Sequence, residues 1–221
     1  MNRATPWEWE IRERTLVVRF DAPFRTLGWA PLGGGFSRVR AVINHQVSEN
    51  DRPATEAPAR YLRGIARDLG LDSRAVAAMM TGAKVRRAAY SMAARGLLRV
   101  GTWCTAGCSN ALRVGDRATF TKVLPGTINV IVALNQPMEP AAMVEAIQIA
   151  TEARILAVQQ ARVISKRSGK PATGTGTDCI VVAAPLGTPA HRYCGKHTLA
   201  GELIGRSVLK SCTIALARDQ R

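Results

Sequence analysis

Gly126-Thr-Ile-Asn-Val-Ile-Val-Ala-Leu-Asn135, an alanine-rich stretch running on to Lys166, and then Cys179-Ile-Val-Val-Ala-Ala184 decide the fold. The first run is apolar at nearly every position, which marks a strand buried on both faces. Pro137 and Pro140 can open a helix, because a proline in the first turn gives up only an N–H that has no partner anyway. That helix is expected over 139–166. Ala146, Ala150, Ala153, Ala157 and Ala161 line one side, so it can lie close to a sheet. Glu145, Gln148, Glu152 and Gln159 share the other side. Lys166, Arg167 and Gly169 then offer cations to the negative end of the helix dipole and a glycine stop. A strand, a long helix and a second strand form a βαβ unit, with parallel strands and a right-handed crossover expected.

Working outward, alternation predicts strands over 15–20, 26–30 and 38–47, the last two separated by Gly33-Gly34-Gly35. Three glycines make a hairpin turn or a place where a ligand can approach the backbone. A loop follows over 48–58. Tyr61, Leu62, Ile65, Ala66 and Leu69 then share a helical face that Gly70 ends. Asp72 or Ser73 can cap a second short helix through Val76, Ala77, Met79 and Met80, terminated by Gly82. Residues 84–94 and 97–105 make a hairpin turning at Arg95-Gly96. The fold class expected is α/β (or α+β), one domain over 1–221, with a mixed sheet of antiparallel hairpins and one βαβ crossover, packed by helices.

Composition narrows the function. Of 221 residues, 31 are Lys or Arg and 16 are Asp or Glu, so the formal charge is +15 and an anionic partner has to be weighed. The basic residues are scattered from Arg3 to Arg221, without the interleaved aromatics that stack bases, which speaks against specific nucleic-acid binding. Five cysteines at irregular spacing fit a reducing compartment better than a disulfide framework. Cys104-x-x-x-Cys108 lacks the spacing and second pair of a zinc site, so no protein metal is expected. No apolar run approaches the ~18 residues that span a membrane, and a cytoplasmic protein without a membrane partner is expected. A homo-oligomer is compatible with the sequence.

The chemistry gathers in 172–208. A P-loop reading fails there, because Gly195-Lys196 is followed by His197 and Ala190 stands where the leading glycine belongs. A dinucleotide loop fails as well, since the glycines of 173–177 precede a strand instead of following one. The four motifs Thr105-Ala-Gly-x-Ser-Asn-Ala111, Gly126-Thr-Ile-Asn129, Thr173-Gly-Thr-Gly-Thr-Asp178 and Gly195-Lys-His-Thr-x-x-Gly-Glu-x-x-Gly205 together resemble the adenosylcobinamide amidohydrolases. The resemblance implies hydrolysis of the amide that joins an aminopropanol arm to the corrin ring, releasing adenosylcobyric acid for cobalamin salvage. It also implies a small-molecule corrinoid substrate that brings its own cobalt, with no cofactor held by the protein. The family carries an acidic residue at the position of Glu152, a side chain that otherwise reads as part of a solvated face.

Amide hydrolysis needs a nucleophile or activated water, donors for the developing oxyanion, and an acid for the leaving amine. The serine elbow is absent, because Gly35-Phe36-Ser37-Arg38-Val39 lacks its closing glycine. The candidates left are Asp178, His197 and Glu202, with Cys179 or a threonine behind them. His197 is flanked by Lys196 and a helix start and can serve as a base or as a cap. Asp178 can orient that histidine, act as base itself, or cap the Thr-Gly turn. A short strand and the helix after it are expected to set these two side by side. Cys179, adjacent to Asp178, falls on the opposite face of the strand. Substrate binding is expected from Asn110, Asn129, Glu152, Thr175, Gly176, Thr177 and Lys196. Asn110 also suits an Asx-type turn.

Overall fold

A computed structural model of the chain describes residues 5–48, 51–118 and 126–220. Arg3 and Arg221, named above, and residues 49–50 of the expected loop lie outside them.

The elements run β1 (Trp7–Arg12), β2 (Thr15–Gly28), β3 (Gly35–Gln46), α1 (Arg52–Glu56), α2 (Pro58–Asp68), β4 (Val76–Thr81), β5 (Ala89–Arg95), β6 (Leu98–Ala106), β7 (Ala111–Leu112), β8 (Ile128–Leu134), α3 (Pro140–Gln160), β9 (Gly174–Thr175), β10 (Cys179–Pro185) and α4 (Leu199–Asp219). The large sheet has the order β4-β3-β2-β10-β8-β6-β5, with β1 also paired to β2. β8 and β10 are parallel and joined by α3, as the apolar runs predict. β3 and β4 form a second parallel pair. The other pairings are antiparallel, so the sheet is mixed.

This sheet folds back on itself. β3 and β6 stand four strands apart in the order, about 19 Å in a flat sheet, yet Asn44 Nδ2 donates to Thr105 Oγ1 at 2.9 Å. Asn129 on β8 likewise donates to the Met80 carbonyl on β4 at 2.8 Å. The bend lies in β2, whose register with β3 shifts between Arg19 and Phe24, a bulge that increases local twist. The first half of β2 pairs with β1 and the second half with β10.

Three cores follow, and they define four layers. Leu16, Val18, Phe24, Val42 and Met79 from one half of the sheet meet Trp103, Ile131, Val181 and Ala183 from the other. The outer face of the first half, Val17, Ala41, Ile43 and Ala78, packs on Leu62 and Ala66 of α2. The outer face of the second half, Val100, Cys104, Val130, Val132, Ile180 and Val182, packs on α3 and α4. The alanine stripe works as its spacing suggests, since Ala146, Ala150, Ala153 and Ala157 are all buried.

Several expected elements differ. Residues 76–80 are a strand rather than a helix. Val76 to Met79 are all buried, so both faces are apolar and periodicity cannot separate the two forms. Asp72 does cap, accepting from Arg74 N, but it opens a single 3-10 turn. Residues 15–20 and 26–28 belong to one bent strand, Gly33 and Gly34 lie in its turn to β3, and Gly35 opens β3. The expected loop over 48–58 contains α1, with Pro53 in its first turn. The long helix ends at Gln160 and not near Lys166. Arg162 turns the chain at φ +53°, and 163–172 folds back on itself through Ala172 N to Val163 O at 2.8 Å and Ser165 N to Lys170 O at 2.9 Å. β1 was not expected, although Trp7, Trp9 and Ile11 alternate with charged residues. Trp7 is buried and edge-on to Trp103 at 6.2 Å.

Candidate functional site

Three of the four motifs meet at one end of the folded sheet. Gly107 N donates to Thr127 O at 3.1 Å, joining the first motif to the second. Ala111 pairs with Thr175 in the short β7–β9 ladder, joining the first to the third. Thr177 Oγ1 donates to Gly126 O at 2.9 Å and lies 2.8 Å from Thr127 Oγ1. The proton of Thr177 is committed to the carbonyl, so Thr127 is the donor between the two hydroxyls.

Asp178 ties these loops together. Its carboxylate accepts from Ile128 N at 3.0 Å, Thr175 N at 3.0 Å, the Thr175 hydroxyl and the Arg154 guanidinium. Both members of the ion pair are nearly closed to solvent, their side chains being 10% exposed for Arg154 and 8% for Asp178. The Asp178 carbonyl accepts from Trp29 Nε1 at 2.6 Å, which brings the start of the β2–β3 turn to the same place.

Beside this loop, the space between the sheet halves is closed by polar side chains. Asn129 Nδ2 donates to Asn44 Oδ1 at 2.9 Å as well as to Met80 O, and its own Oδ1 has no partner among the described residues. Asn110 is more conspicuous. Both of its amide atoms are buried, and neither has a partner among the described residues. A Cβ at Gly126 would sit 2.5 Å from Asn110 Oδ1 and 2.6 Å from Ser109 Oγ, so glycine alone leaves room for this side chain. An unmet buried amide costs about 1–3 kcal/mol, a cost a bound amide or carbonyl would remove.

The fourth motif lies elsewhere. Thr198 caps α4, accepting from Gly201 N at 3.0 Å, and α4 then runs along β6. Thr102 Oγ1 donates to Ser207 O at 2.9 Å, and Asp219 accepts from Cys108 N at 3.0 Å. The C-terminus of α4 is therefore at the Asp178 end, and His197, exposed just before its N-terminus, is at the other end of β10. Asp178 and His197 are not brought together. A strand of seven residues is about 23 Å long, and the chain leaves it at the far end.

Glu152, Lys196 and Glu202 do come together, in a groove of about 450 Å³ between α3 and α4 whose floor includes Ile149, Ala153, Leu156 and Leu209. Lys196 Nζ is 2.6 Å from Glu152 Oε2, and Gln148 also donates to that carboxylate. These hydrogen bonds, that from Lys196 first, hold the Glu152 carboxyl below its ordinary range. Glu202 pairs with Arg95 at 2.9 Å and Arg206 at 3.4 Å.

Cys179 and Cys108 are poor nucleophiles. Burial first, then the charge of Asp178, pushes the Cys179 thiol up to about 12. Burial, then the carboxylates of Asp219 and Asp178, puts Cys108 at about 12 as well. His45 and His191 have structural partners. His45 lies between Thr15 Oγ1 and Tyr61 OH, and His191 Nε2 is 2.8 Å from Gln136 Oε1. Among the described residues no group of His, Cys, Asp and Glu could hold a metal ion, and no helix is long and apolar enough to cross a membrane.

Sequence reading missed Arg154, Asn44, Thr105 and Trp29. Arg154 carried a signal, since it stands four after Ala150 and three before Ala157, a lone cation on an apolar stripe that needs a buried partner. Thr105 opens the first motif but was not singled out, and Asn44 carried no signal, because their meeting depends on the fold of the sheet.

A family model described as adenosylcobinamide amidohydrolase matches residues 4–221. An adenosylcobinamide amidohydrolase of Methanosarcina mazei is 27% identical over 95% of this chain and 97% of its own length. An uncharacterized protein of Methanocaldococcus jannaschii is 29% identical over 94% and 88%. Among solved structures, a Pyrococcus horikoshii protein aligns with a TM-score of 0.44 at 10% identity, covering 97% of this chain and 82% of its own. The L-aminopeptidase D-Ala-esterase/amidase of Ochrobactrum anthropi aligns with a TM-score of 0.42 at 12% identity, covering 96% and 83%.

Proposed function

The chain belongs to the adenosylcobinamide amidohydrolase family, and from that premise we propose that it hydrolyses the aminopropanol amide of adenosylcobinamide to adenosylcobyric acid, in cytoplasmic corrinoid salvage, as a single domain over 1–221. The observation that carries the placement of the reaction is the Asn110 side chain, whose two buried amide atoms have no partner among the described residues where three motifs converge. Its amide N–H is set to donate to the scissile carbonyl as negative charge develops there, and its Oδ1 can accept from the amide N–H of the arm. Thr175, Gly176 and Thr177 form one wall of the site, with Asn129 at its floor. Asp178 is a positioning residue. With about four lone-pair sites on a carboxylate and four donors already on it, it shapes the loop and does not take the substrate's proton.

The α3–α4 groove supports a second placement, because it gathers Glu152, Lys196 and Glu202 over an apolar floor of the kind that suits a large ring with polar edges. In that placement His197 is the general base beside the groove.

Incubation with adenosylcobinamide followed by mass spectrometry tests the activity. Loss of the aminopropanol arm is expected. Binding of the corrinoid without any change of mass would make the chain a corrinoid-binding protein and not a hydrolase.

A further inference from the structure

A second cavity, of about 390 Å³, is lined by Arg113, Arg117, Arg167 and Lys170 together with Gly115, Asp116 and Ser168. Arg113, Arg117 and Lys170 are three cations against one carboxylate, and that carboxylate is occupied. Asp116 accepts from Arg113 N at 2.8 Å and from the Ser165 hydroxyl. Hydrogen bonds from Ser165, Ser168 and the Arg113 amide, in that order, hold its carboxyl below the ordinary range. Arg113 is fixed in place, its Nη1 donating to Pro171 O at 2.9 Å.

The cavity is built onto the same ladder as the candidate site. β7 and β9 pair Ala111 with Thr175 and Leu112 with Gly174, and the next residue on β7 is Arg113. Val114 N donates to Thr173 Oγ1 at 2.8 Å, and Lys166 N to Ala111 O at 2.9 Å. Asn110 and Thr175 thus stand on one side of a two-residue ladder and the cations on the other.

We propose that this cavity binds the phosphate group of a small phosphate ester. Phosphate carries close to two negative charges at neutral pH, which matches the surplus of cations better than a monocarboxylate does. Planar guanidinium groups also suit its oxygens. The volume lies in the range of roughly 300–1,000 Å³ typical of small-molecule sites, more than a bare ion needs. The inference goes beyond the amidohydrolase reading. Binding of phosphate is itself tested without corrinoid, so the failure of one leaves the other standing.

The test is titration of the full chain with inorganic phosphate by calorimetry, at roughly physiological salt so that exposed charges are screened. Saturable binding is expected, weakened about tenfold in Arg117→Gln/Lys170→Gln, with an unchanged melting temperature because both side chains are exposed. The control Arg60→Gln/Arg67→Gln on α2 should bind like the wild type, and acetate at equal concentration should not compete. Equal weakening in the control, competition by acetate, or absence of saturable binding would overturn the proposal. Where phosphate also raises KM for the corrinoid, the ester belongs to the substrate. Where turnover is untouched, it is a separate ligand of the same cavity.

Discussion

Asp178 and Glu152 each hold one cation, and the difference between the pairs is solvent. Arg154 and Asp178 are 10% and 8% exposed at the side chain, whereas Lys196 and Glu152 are 66% and 41% exposed. Removing one partner of a buried pair strands the other charge, a loss of about 3–5 kcal/mol, while a surface pair contributes about 0–1 kcal/mol. Asp178→Asn is therefore expected to lose several kcal/mol in urea denaturation and Glu152→Gln less than about one. Equal and small losses would mean that the Asp178 ion pair does not organise the loop. Of the residues singled out in the sequence, Thr175, Gly176, Thr177 and Asp178 were legible as a group because their motif is contiguous and backbone-rich. What was not legible is the pairing that fixes Asp178, since Arg154 is 24 residues away and the contact exists only once α3 lies against the sheet.

α4 carries two glycines that look alike in sequence and differ in packing. A Cβ at Gly201 would meet the carbonyls of Gly195 and Cys194 at 2.3 and 2.5 Å, both backbone. At Gly205 the nearest atom is Ile149 Cγ2 at 3.6 Å, an ordinary contact. Gly201→Ala is expected to destabilise by about 1–3 kcal/mol through overpacking, and Gly205→Ala to stabilise by up to about 1 kcal/mol through helix propensity. Thermal melts of the two variants check this, and the same sign for both would contradict it. The elements whose type and order were read correctly from sequence were those whose pattern is strong and local: the β8–α3–β10 unit, apart from the end of its helix, the β5–β6 hairpin and α2. β4 was misread because a short run buried on both faces has no periodicity to show. The fold-back at β2 was invisible for a different reason. A bulge changes the register of pairing without changing the alternation of residues, so one bent strand reads as two.

At the scale of the whole molecule, stability and activity each depend on groups held between layers. His45 sits under α2 between Thr15 and Tyr61, and burial, aided by the charge of Arg14 and opposed by Asp51, lowers its pKa from 6.5. The folded imidazole thus resists a proton that the unfolded chain accepts. Stability is complete above 6.5 and falls as the pH drops below it, and His45→Gln should lose less melting temperature than the wild type between neutral and mildly acid pH. A wild-type fall no steeper than that of the variant would contradict the assignment. The fold-back also places the candidate site, since it brings Asn44 and Met80 of one sheet half against Asn129 of the other, next to the three converging motifs. The most direct test of that placement is kcat on adenosylcobinamide for Asn110→Ala and His197→Ala side by side. The account predicts a fall of about 10² to 10³ for Asn110→Ala, as for a lost oxyanion donor, with turnover close to wild type for His197→Ala. A collapse in His197→Ala with Asn110→Ala nearly unaffected would contradict it and move the reaction to the α3–α4 groove.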